Sequence, residues 1–152
     1  MLNYDEKTGE FWWKVALSNR VRLDIPAGCL SKSLGYKVYR IHSNLYYGHV
    51  LAWFYVHRTW PVNTIDHIDG VKNNNRICNL REATKAEQTR NRKANKNNST
   101  GYKGVSLCDG KYKSQIKTRG RSYFLGLFDN PIDANEAYRV AAEKMFGEFA
   151  KW

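Results

Sequence analysis

The hydrophobic and polar positions in the last third of the chain predict a three-stranded antiparallel sheet. Between Lys111 and Thr118 they alternate with a period of two, so that lysine and glutamine side chains face one way. Tyrosine, serine, isoleucine and threonine side chains face the other way. Asp109-Gly110 and Gly120 are turn signals beside this segment. The pattern predicts strands over residues 102–107, 111–118 and 121–128.

A helix is predicted to follow this sheet. Asn130 suits the N-cap, Pro131 suits the first helical turn, and Gly147 suits the position just after the helix. The helix would present an apolar stripe to the less polar face of the sheet. The predicted stripe consists of Ile132, Ala134, Ala137, Tyr138, Ala141, Met145 and Phe146.

The first sixty residues read as β-strands followed by one helix. A strand is predicted over residues 10–15, and residues 36–41 and 44–47 predict a hairpin. From His49 the apolar residues recur at helical spacing until Trp60-Pro61 stops the run. We interpret the tryptophan and tyrosine side chains as core and strand packing rather than as a base-stacking platform. For His49 a structural role and a place near a reactive site or a phosphate both remain open.

Polar residues that could take part in catalysis follow in the middle of the chain. Residues 65–68 form a short predicted strand that places Asp66 and His67 side by side, and Asp69-Gly70 follows as a turn. The residues alone leave two interpretations. The aspartates cap turns and the histidine is structural, or the aspartate and histidine are a reactive pair.

A second helix is predicted to begin at the capping box Thr84-x-x-Glu87 and to carry Gln88 and Asn91 on one face. Strand, loop and helix would bring a carboxylate, an imidazole and amide oxygens towards one point. Carboxylate and amide oxygens suit Mg²⁺ or Mn²⁺. A histidine with a pKa near neutrality can take a proton from water. This combination favours phosphodiester chemistry.

The charge of the chain points to a polyanionic partner. The 152 residues carry a formal net charge of +11. Residues 82–121 hold 11 Lys and Arg against 3 Asp and Glu. Nucleic acid is the leading partner. An anionic membrane surface would call for a basic amphipathic helix, and none stands out.

The absence of targeting signals and the spacing of the cysteines indicate in which cellular compartment the protein is expected. No 18-residue apolar run predicts a membrane span, and the first residues do not resemble a signal peptide. Cys29, Cys78 and Cys108 show no C-x-x-C spacing, so we expect reduced thiols and no zinc site.

Three strings in the middle of the chain resemble the HNH endonucleases of the phage and intron-encoded homing type. They are D-H-I-D-G at 66–70, N-N-R-x-x-N-L-R at 74–81 and A-T at 83–84. The resemblance implies a ββα-metal fold, in which a hairpin packs on a helix around one cation. It also implies that the substrate is DNA, and it suggests a phage or other mobile element acting in bacterial cytoplasm.

The resemblance also assigns roles to single residues. Asp66 corresponds to the first metal ligand, His67 to the general base, and Asn79 to the central asparagine that holds the loop in shape. The second metal ligand of the family is a histidine or asparagine on the helix, and this chain has Gln88 there. Either Gln88 binds the metal, Asn91 replaces it from the same helix face, or metal binding is weakened.

The last fifty residues resemble the DNA-binding domain of plant ethylene-response factors, which also follows HNH motifs in phage endonucleases. The resemblance rests on G-Y-K-G-V at 101–105, L-G-x-F at 125–128 and A-x-E-A-Y-x-x-A-A at 134–142. It implies a sheet that enters the major groove of DNA. The implied contact residues are Lys103, Ser106, Lys113, Gln115, Lys117 and Phe124, with Arg119 and Arg121 nearer to phosphates.

Further basic residues flank the nuclease-like motif. Arg90, Arg92 and Lys93 lie at the end of the second helix, and Lys96 lies in a polar segment, 95–100, that we interpret as an exposed linker. Beside a phosphodiesterase motif, contact with DNA phosphates is favoured over a merely solvated helix end.

The sequence as a whole predicts an α+β protein. A ββα-metal (HNH) nuclease domain with a β-rich lead-in would occupy residues 1–94, a linker 95–100, and a three-stranded antiparallel sheet packed on one helix 101–152. The predicted function is site-specific cleavage or nicking of double-stranded DNA with one divalent cation, Mg²⁺ or Mn²⁺. No small-molecule cofactor and no membrane are expected. The alternatives are a non-catalytic DNA-binding protein with a degenerate HNH site and an RNA-binding protein.

Overall fold

Antiparallel sheets and α-helices together make up the computed structural model, which describes residues 2–16, 18–91 and 97–152. This mixed architecture confirms the predicted α+β class. The chain divides into two compact units, Met1–Thr84 and Lys85–Trp152. The division lies ahead of the domain boundary predicted at residue 94. Arg92, Lys93 and Lys96 fall outside the described residues, as does part of the predicted linker.

Within its described residues, the first unit contains three small sheets and one α-helix. β1 and β2 form a hairpin, β3, β4 and β5 form a sheet in that order, and β6 pairs with β7. Their bounds are β1 Leu2–Asp5, β2 Glu10–Trp13, β3 Cys29–Leu30, β4 Lys37–Ile41, β5 Asn44–Tyr47, α1 Gly48–His57, β6 Thr64–His67 and β7 Leu80–Ala83.

The predicted hairpin of β4 and β5 is confirmed, and the predicted helix is shorter than expected. His42 and Ser43 join the two strands with φ values of 46° and 68°, as a tight two-residue hairpin turn requires. The helix α1 ends at His57 rather than running to Trp60. Arg58 takes a left-handed conformation, φ 60°, and its N–H donates to the carbonyl of Phe54 at 2.9 Å. This C-cap ends the helix before the proline.

The core of the first unit joins its lead-in strands to the strands of the HNH-like motif. Most of the aromatic side chains of the lead-in pack there or against it, as predicted. The buried members are Tyr4, Phe11, Ala27, Tyr39, Leu51, Ala52, Ile65 and Leu80. Because β6 and β7 contribute to the same core as β1 and β2, the N-terminal hairpin helps to hold the loop between β6 and β7.

The second unit is a short helix followed by a sheet packed on a long helix. The strands run in the order β10-β9-β8, and α3 covers one face. The bounds are α2 Lys85–Arg90, β8 Val105–Cys108, β9 Lys111–Thr118, β10 Arg121–Phe128 and α3 Pro131–Phe146. Asn130 caps α3 as predicted, because its Oδ1 accepts from the N–H of Asp133 at 2.9 Å.

Two predictions about this unit were wrong in detail. The first strand of the sheet begins at Val105 rather than at residue 102, because Gly101 and Gly104 both take left-handed conformations with φ of 74°. Ile132 and Met145, assigned to the apolar stripe of α3, are 66% and 42% exposed. The residues of α3 that are buried are spaced by four: Ala134, Tyr138, Ala142 and Phe146.

None of the helices within residues 2–16, 18–91 and 97–152 is both long and apolar enough to cross a bilayer.

Candidate functional site

The hairpin of β6 and β7 presents the predicted reactive residues at the end where the connecting loop leaves β6. Asp66 lies directly opposite Arg81, and His67 lies opposite Leu80. Asp66 and His67 are both only 5% exposed. A short apolar strand that pairs on one side and packs on the core accounts for this burial. The hairpin therefore holds a carboxylate and an imidazole next to each other and largely away from water.

Asp66 is the acidic half of a buried ion pair. Arg81 donates to Oδ2 of Asp66 from Nη2 at 3.2 Å and from Nε at 3.3 Å. The two residues are cross-strand partners, so the hairpin itself sets the geometry of the pair. Arg81 is the arginine of the N-L-R string, and sequence reasoning gave it no role. Its position opposite Asp66 follows only from the register of the strands.

His67 is held by an asparagine that sequence reasoning also missed. Nε2 of His67 lies 3.1 Å from Oδ1 of Asn75, which is 1% exposed. Tyr4 donates its hydroxyl to the carbonyl of Asn75 at 2.7 Å. With the amide oxygen facing Nε2, the neutral ring carries its proton there, and Nδ1 keeps the lone pair.

The packing around Asn75 depends on two glycines. A Cβ on Gly48, the first residue of α1, would lie 2.5 Å from Nδ2 of Asn75. A Cβ on Gly9, in the turn between β1 and β2, would lie 2.5 Å from the backbone nitrogen of Arg76. Both glycines thus allow their elements to approach the loop closely, and the N-terminal hairpin and α1 position the partner of His67.

The environment of His67 keeps its ring neutral. Burial lowers the pKa of His67 below its usual value, and this outweighs the hydrogen bond that the ring donates to Asn75 and the charges of the nearby aspartates, which act in the opposite direction. A neutral imidazole at pH 7 is the form that accepts a proton from water. The electrostatics of the site therefore suit a general base.

His49 lies against His67, the candidate base. The two rings meet edge to face with centroids 5.1 Å apart, and Tyr36 and Tyr47 pack on His49 at 5.1 and 5.5 Å. Burial, and then the charge of His67, lower the pKa of His49 to about 4. Its Nδ1 is buried and makes no hydrogen bond within the described residues. His49 is thus a neutral aromatic side chain that packs beside the candidate base.

Asn79 and Asp69 tie the loop between β6 and β7 together. Oδ1 of Asn79 accepts from the N–H of Asp69 at 3.0 Å, and Nδ2 of Asn79 donates to Oδ1 of Asp69, also at 3.0 Å. The same Nδ2 donates to the carbonyl of Asn74 at 2.9 Å. Asn79 is 9% exposed. These bonds close the loop directly after the reactive pair.

Asp69 has a second set of partners that sequence reasoning did not predict. Its carboxylate accepts from the N–H of Val71 and from Nδ2 of Asn74, both at 2.7 Å. Burial acts to raise the pKa of Asp69, but these bonds and the bond from Asn79 outweigh it, so the pKa lies below its usual value. Asp69 is therefore a charged structural centre of the loop, and the turn signal alone did not reveal this.

The remaining predicted metal ligands lie in the second unit. Gln88 is partly exposed on α2, whereas Asn91 is 6% exposed just after the helix. The N–H of Asn91 donates to the carbonyl of Glu87 at 3.1 Å and so extends the helical bonding by one residue. Of the two amides, that of Gln88 is the more accessible.

The predicted DNA-contact residues on the sheet lie largely on one face. The strand register places Ser106 beside Lys113 and Phe124 beside Gln115. Phe124 is 65% exposed, and Leu127, which pairs with Lys113, is 51% exposed. Leu127 was not predicted to lie there, because a bulge between Phe124 and Gly126 shifts the alternation of β10.

Three predicted basic contacts have distinct positions. Arg119, with φ 48°, and Gly120 form the turn between β9 and β10, and Arg121 follows as the first residue of β10. Lys103 is not fully on the open face. Its Nζ donates to the carbonyls of Arg90 and Lys151 at 2.5 and 2.9 Å. Burial, and then the charge of Lys151, lower the pKa of Lys103 to about 8.

A family model described as HNH endonuclease matches residues 46–90, which contain β6, β7 and α2. This segment is similar to the HNH endonuclease domains that the model describes. An uncharacterized HNH endonuclease of Acanthamoeba polyphaga mimivirus is 34% identical over 87 residues. The alignment covers 57% of this chain and 44% of the relative, so the chain spans less than half of that protein. No solved structure matches the chain.

The match gives the geometry a chemical context. HNH nucleases typically use a divalent metal, and they act on DNA. The matched segment begins within β5 and includes α1, so it also contains His49 and Asn75.

Proposed function

We propose that the chain is a metal-dependent DNA endonuclease of the homing type, encoded by a phage or another mobile element, that hydrolyses phosphodiester bonds. The observation that carries the proposal is the state of His67 inside the HNH domain. The ring is neutral, oriented through Nε2 by Asn75, and enclosed by aromatic side chains. A histidine held in this way is prepared to accept a proton and does not need to reorient first.

Different residues of the chain would have different roles in the hydrolysis. His67 takes the proton of the attacking water through Nδ1, while Asn75 holds the opposite nitrogen. Asn79 and Asp69 keep the loop after the base closed, so that the base does not shift. Arg81 fixes the orientation of the Asp66 carboxylate.

One divalent cation, Mg²⁺ or Mn²⁺, suits the carboxylate and amide oxygens that the family resemblance assigns as ligands. Asp66 would hold it through its carboxylate and Gln88 through its amide oxygen. Gln88 is the more accessible of the two candidate amides, and Asn91, just after the same helix, is the alternative ligand. When bound, the cation would stabilise the negative charge of the leaving 3′ oxygen.

The second unit would bind double-stranded DNA. Its sheet has one face covered by α3 and one open face that carries Ser106, Lys113, Gln115, Lys117 and Phe124. Lysines supply salt-dependent attraction to phosphates, and Gln115 can bond to base edges. Arg119 and Arg121 would contact phosphates beside the groove. Arg92, Lys93 and Lys96 are proposed phosphate contacts from the sequence alone.

A non-catalytic DNA-binding protein is the alternative, and two observations favour it. Gln88 occupies the position where the family has a histidine or an asparagine as metal ligand. Asp66 is already paired with Arg81. The substitution Gln88→Asn separates the two functions. A metal-dependent cleavage that rises in this variant supports the nuclease with a weakened site. Absence of cleavage in both proteins, with DNA binding intact, supports the binding protein.

A further test concerns the sheet. Lys113→Ala with Lys117→Ala should weaken binding to duplex DNA and flatten its salt dependence, because each lysine neutralises phosphate charge. Competition with duplex RNA in the same assay distinguishes a DNA-binding from an RNA-binding sheet. Unchanged affinity of the double variant would remove the sheet from the interface.

A further inference from the structure

A cavity of about 320 Å³ lies within the second unit, where α2 meets the sheet and α3. Three cationic side chains line it: Arg90 from α2, Lys103 from the turn before β8, and Lys117 from β9. None of the described residues that line it is acidic. Three cations around one concave space attract an anion far more strongly than the same charges spread over a convex surface.

Arg90 and Lys103 are held in place by contacts with an aromatic ring and with main-chain carbonyls. The guanidinium of Arg90 stacks 4.8 Å above the ring of Phe146, which fixes its plane and leaves its edge donors available. Among residues 85–91 and 97–152, Arg90 and Lys117 make no ion pair. Lys103 is anchored by main-chain carbonyls, and burial lowers its pKa, as expected of a cation taken partly out of water.

Neutral donors complete the lining. Ser122, exposed on β10, and Gln115, exposed on β9, contribute a hydroxyl and an amide at the mouth. The ring of Tyr138 forms part of the floor beside Gly104, where a Cβ would lie only 2.2 Å from the ring. The absence of a side chain at Gly104 thus lets its backbone pack directly against the ring of Tyr138.

We propose that this cavity binds one phosphate group of the DNA backbone, held jointly by Arg90, Lys103 and Lys117. The inference rests on the proposed DNA-binding function and sharpens it. Arg90, Lys103 and Lys117 then serve a single phosphate and do not read bases, and Ser122 joins them as a donor. Because Arg90 belongs to α2, the same phosphate ties the helix that carries Gln88 to the sheet on the DNA.

The salt dependence of DNA binding tests the number of phosphates. Each phosphate neutralised contributes about 0.9 to the slope of log K against log salt concentration. Arg90→Gln and Lys117→Gln should each lower the slope, and the double variant should lower it by no more than about 0.9 in total. A loss of about 1.8 in the double variant means two separate phosphates, and it would overturn the proposal. So would an unchanged slope.

Matched variants separate the cavity from the general charge of the sheet. Lys111→Gln changes a lysine on the same strand that pairs with Asp129 at 3.1 Å and lies outside the cavity, so the slope should not change. Ser122→Asp places a negative charge at the exposed mouth and should weaken binding at least tenfold, whereas Ser122→Asn should not. Equal effects of the two Ser122 variants would contradict the proposal.

Two further arms identify the source of the phosphate. Ethylation interference on duplex DNA should reveal one phosphate whose modification weakens the wild-type protein and has no further effect on the double variant. Inorganic phosphate, titrated against the free protein by NMR, should shift the amides of Gly104 and Gln115 only weakly. Sub-millimolar binding of inorganic phosphate without any interference signal would make this a site for free anions.

All binding is measured in EDTA, so catalysis does not enter. Failure of the wild-type protein to bind DNA would overturn the proposed function itself. Normal binding with an unaltered slope in the variants would overturn only the assignment of this cavity.

Discussion

At the scale of single residues, the candidate base is controlled by a neighbour that no motif names. Asn75 bonds to Nε2 of His67, and its own carbonyl is held by Tyr4 from the other end of the unit. With Nε2 bonded to Asn75, we expect Nδ1 to be the nitrogen that accepts the proton. The buried asparagine thus orients His67 in the way that a carboxylate or carbonyl orients the histidine of many catalytic sites.

Loss of this bond should slow cleavage without weakening DNA binding. We expect Asn75→Ala to reduce the single-turnover cleavage rate roughly 10- to 100-fold, because His67 would no longer be held in the orientation that proton transfer requires. Affinity for DNA should stay the same, since Asn75 is buried. Asn73→Ala, an exposed neighbour in the same asparagine run, is the control. Equal rates for both variants would show that Asn75 does not position the base.

The sequence could identify some of these residues and not others. Asp66, His67 and Asn79 are found because each stands at a fixed place in a short string. Asn75 is one of three consecutive asparagines, and its partner Tyr4 lies 71 residues away in the chain. Arg81 becomes the partner of Asp66 only through strand register. Contacts of this kind depend on tertiary packing, which a local pattern does not carry.

At the scale of elements, α1 closes the aromatic enclosure of the candidate base by burying His49. In the unfolded chain a histidine takes up a proton near pH 6.5, but in the folded protein the pKa of His49 is about 4. Between these values unfolding takes up a proton. The stability contributed by neutral His49 is complete above pH 6.5 and is lost as the pH falls towards 4.

We therefore expect the free energy of unfolding of the wild-type protein to fall by about 2–3 kcal/mol over this range because of His49. His49→Phe should keep the aromatic packing and remove most of this pH dependence, with a remainder from His67. The free energy of unfolding at each pH is measured by denaturant titration with tryptophan fluorescence as the signal. Four tryptophans, Trp12, Trp13, Trp53 and Trp60, lie in the first unit. His57→Gln, at an exposed histidine, should retain the full slope.

The turn before β8 offers a second prediction at this scale. Gly101 and Gly104 share a φ of 74°, but a Cβ on Gly101 meets no atom within 4 Å, whereas one on Gly104 would overlap the ring of Tyr138. Gly101→Ala should cost about 1–2 kcal/mol for the left-handed backbone. Gly104→Ala should cost at least about 2 kcal/mol more, from overpacking. Equal melting temperatures of the two variants would contradict this packing.

Element prediction succeeded where local signals were strong. The caps of α3 and the Asp109-Gly110 turn set the bounds of α3 and β9 correctly. The start of β8 was missed because left-handed glycines precede it. The buried stripe of α3 was misassigned because Ile132 and Met145 are apolar but lie off the four-residue spacing of the buried positions. Apolar character alone does not decide which side of a helix is buried.

At the scale of the whole molecule, two compact units divide the chemistry. The first holds Asp66, His67 and Asn79, and the second holds Gln88 together with the basic sheet. The sequence predicted a boundary at residue 94, because the polar run 95–100 is the most evident break in composition. Arg90 of α2 contacts the ring of Phe146 at the end of α3, and no composition signal reveals this contact.

The central claim is that His67 is the general base of a metal-dependent DNA nuclease. The most direct measurement is the conversion of supercoiled plasmid DNA by the wild-type protein and by His67→Ala, each in Mg²⁺, in Mn²⁺ and in EDTA. We expect the wild-type protein to produce open-circular or linear DNA only with metal, and His67→Ala to bind DNA equally well and leave it supercoiled. Metal-dependent cleavage that persists unchanged in His67→Ala would contradict the account.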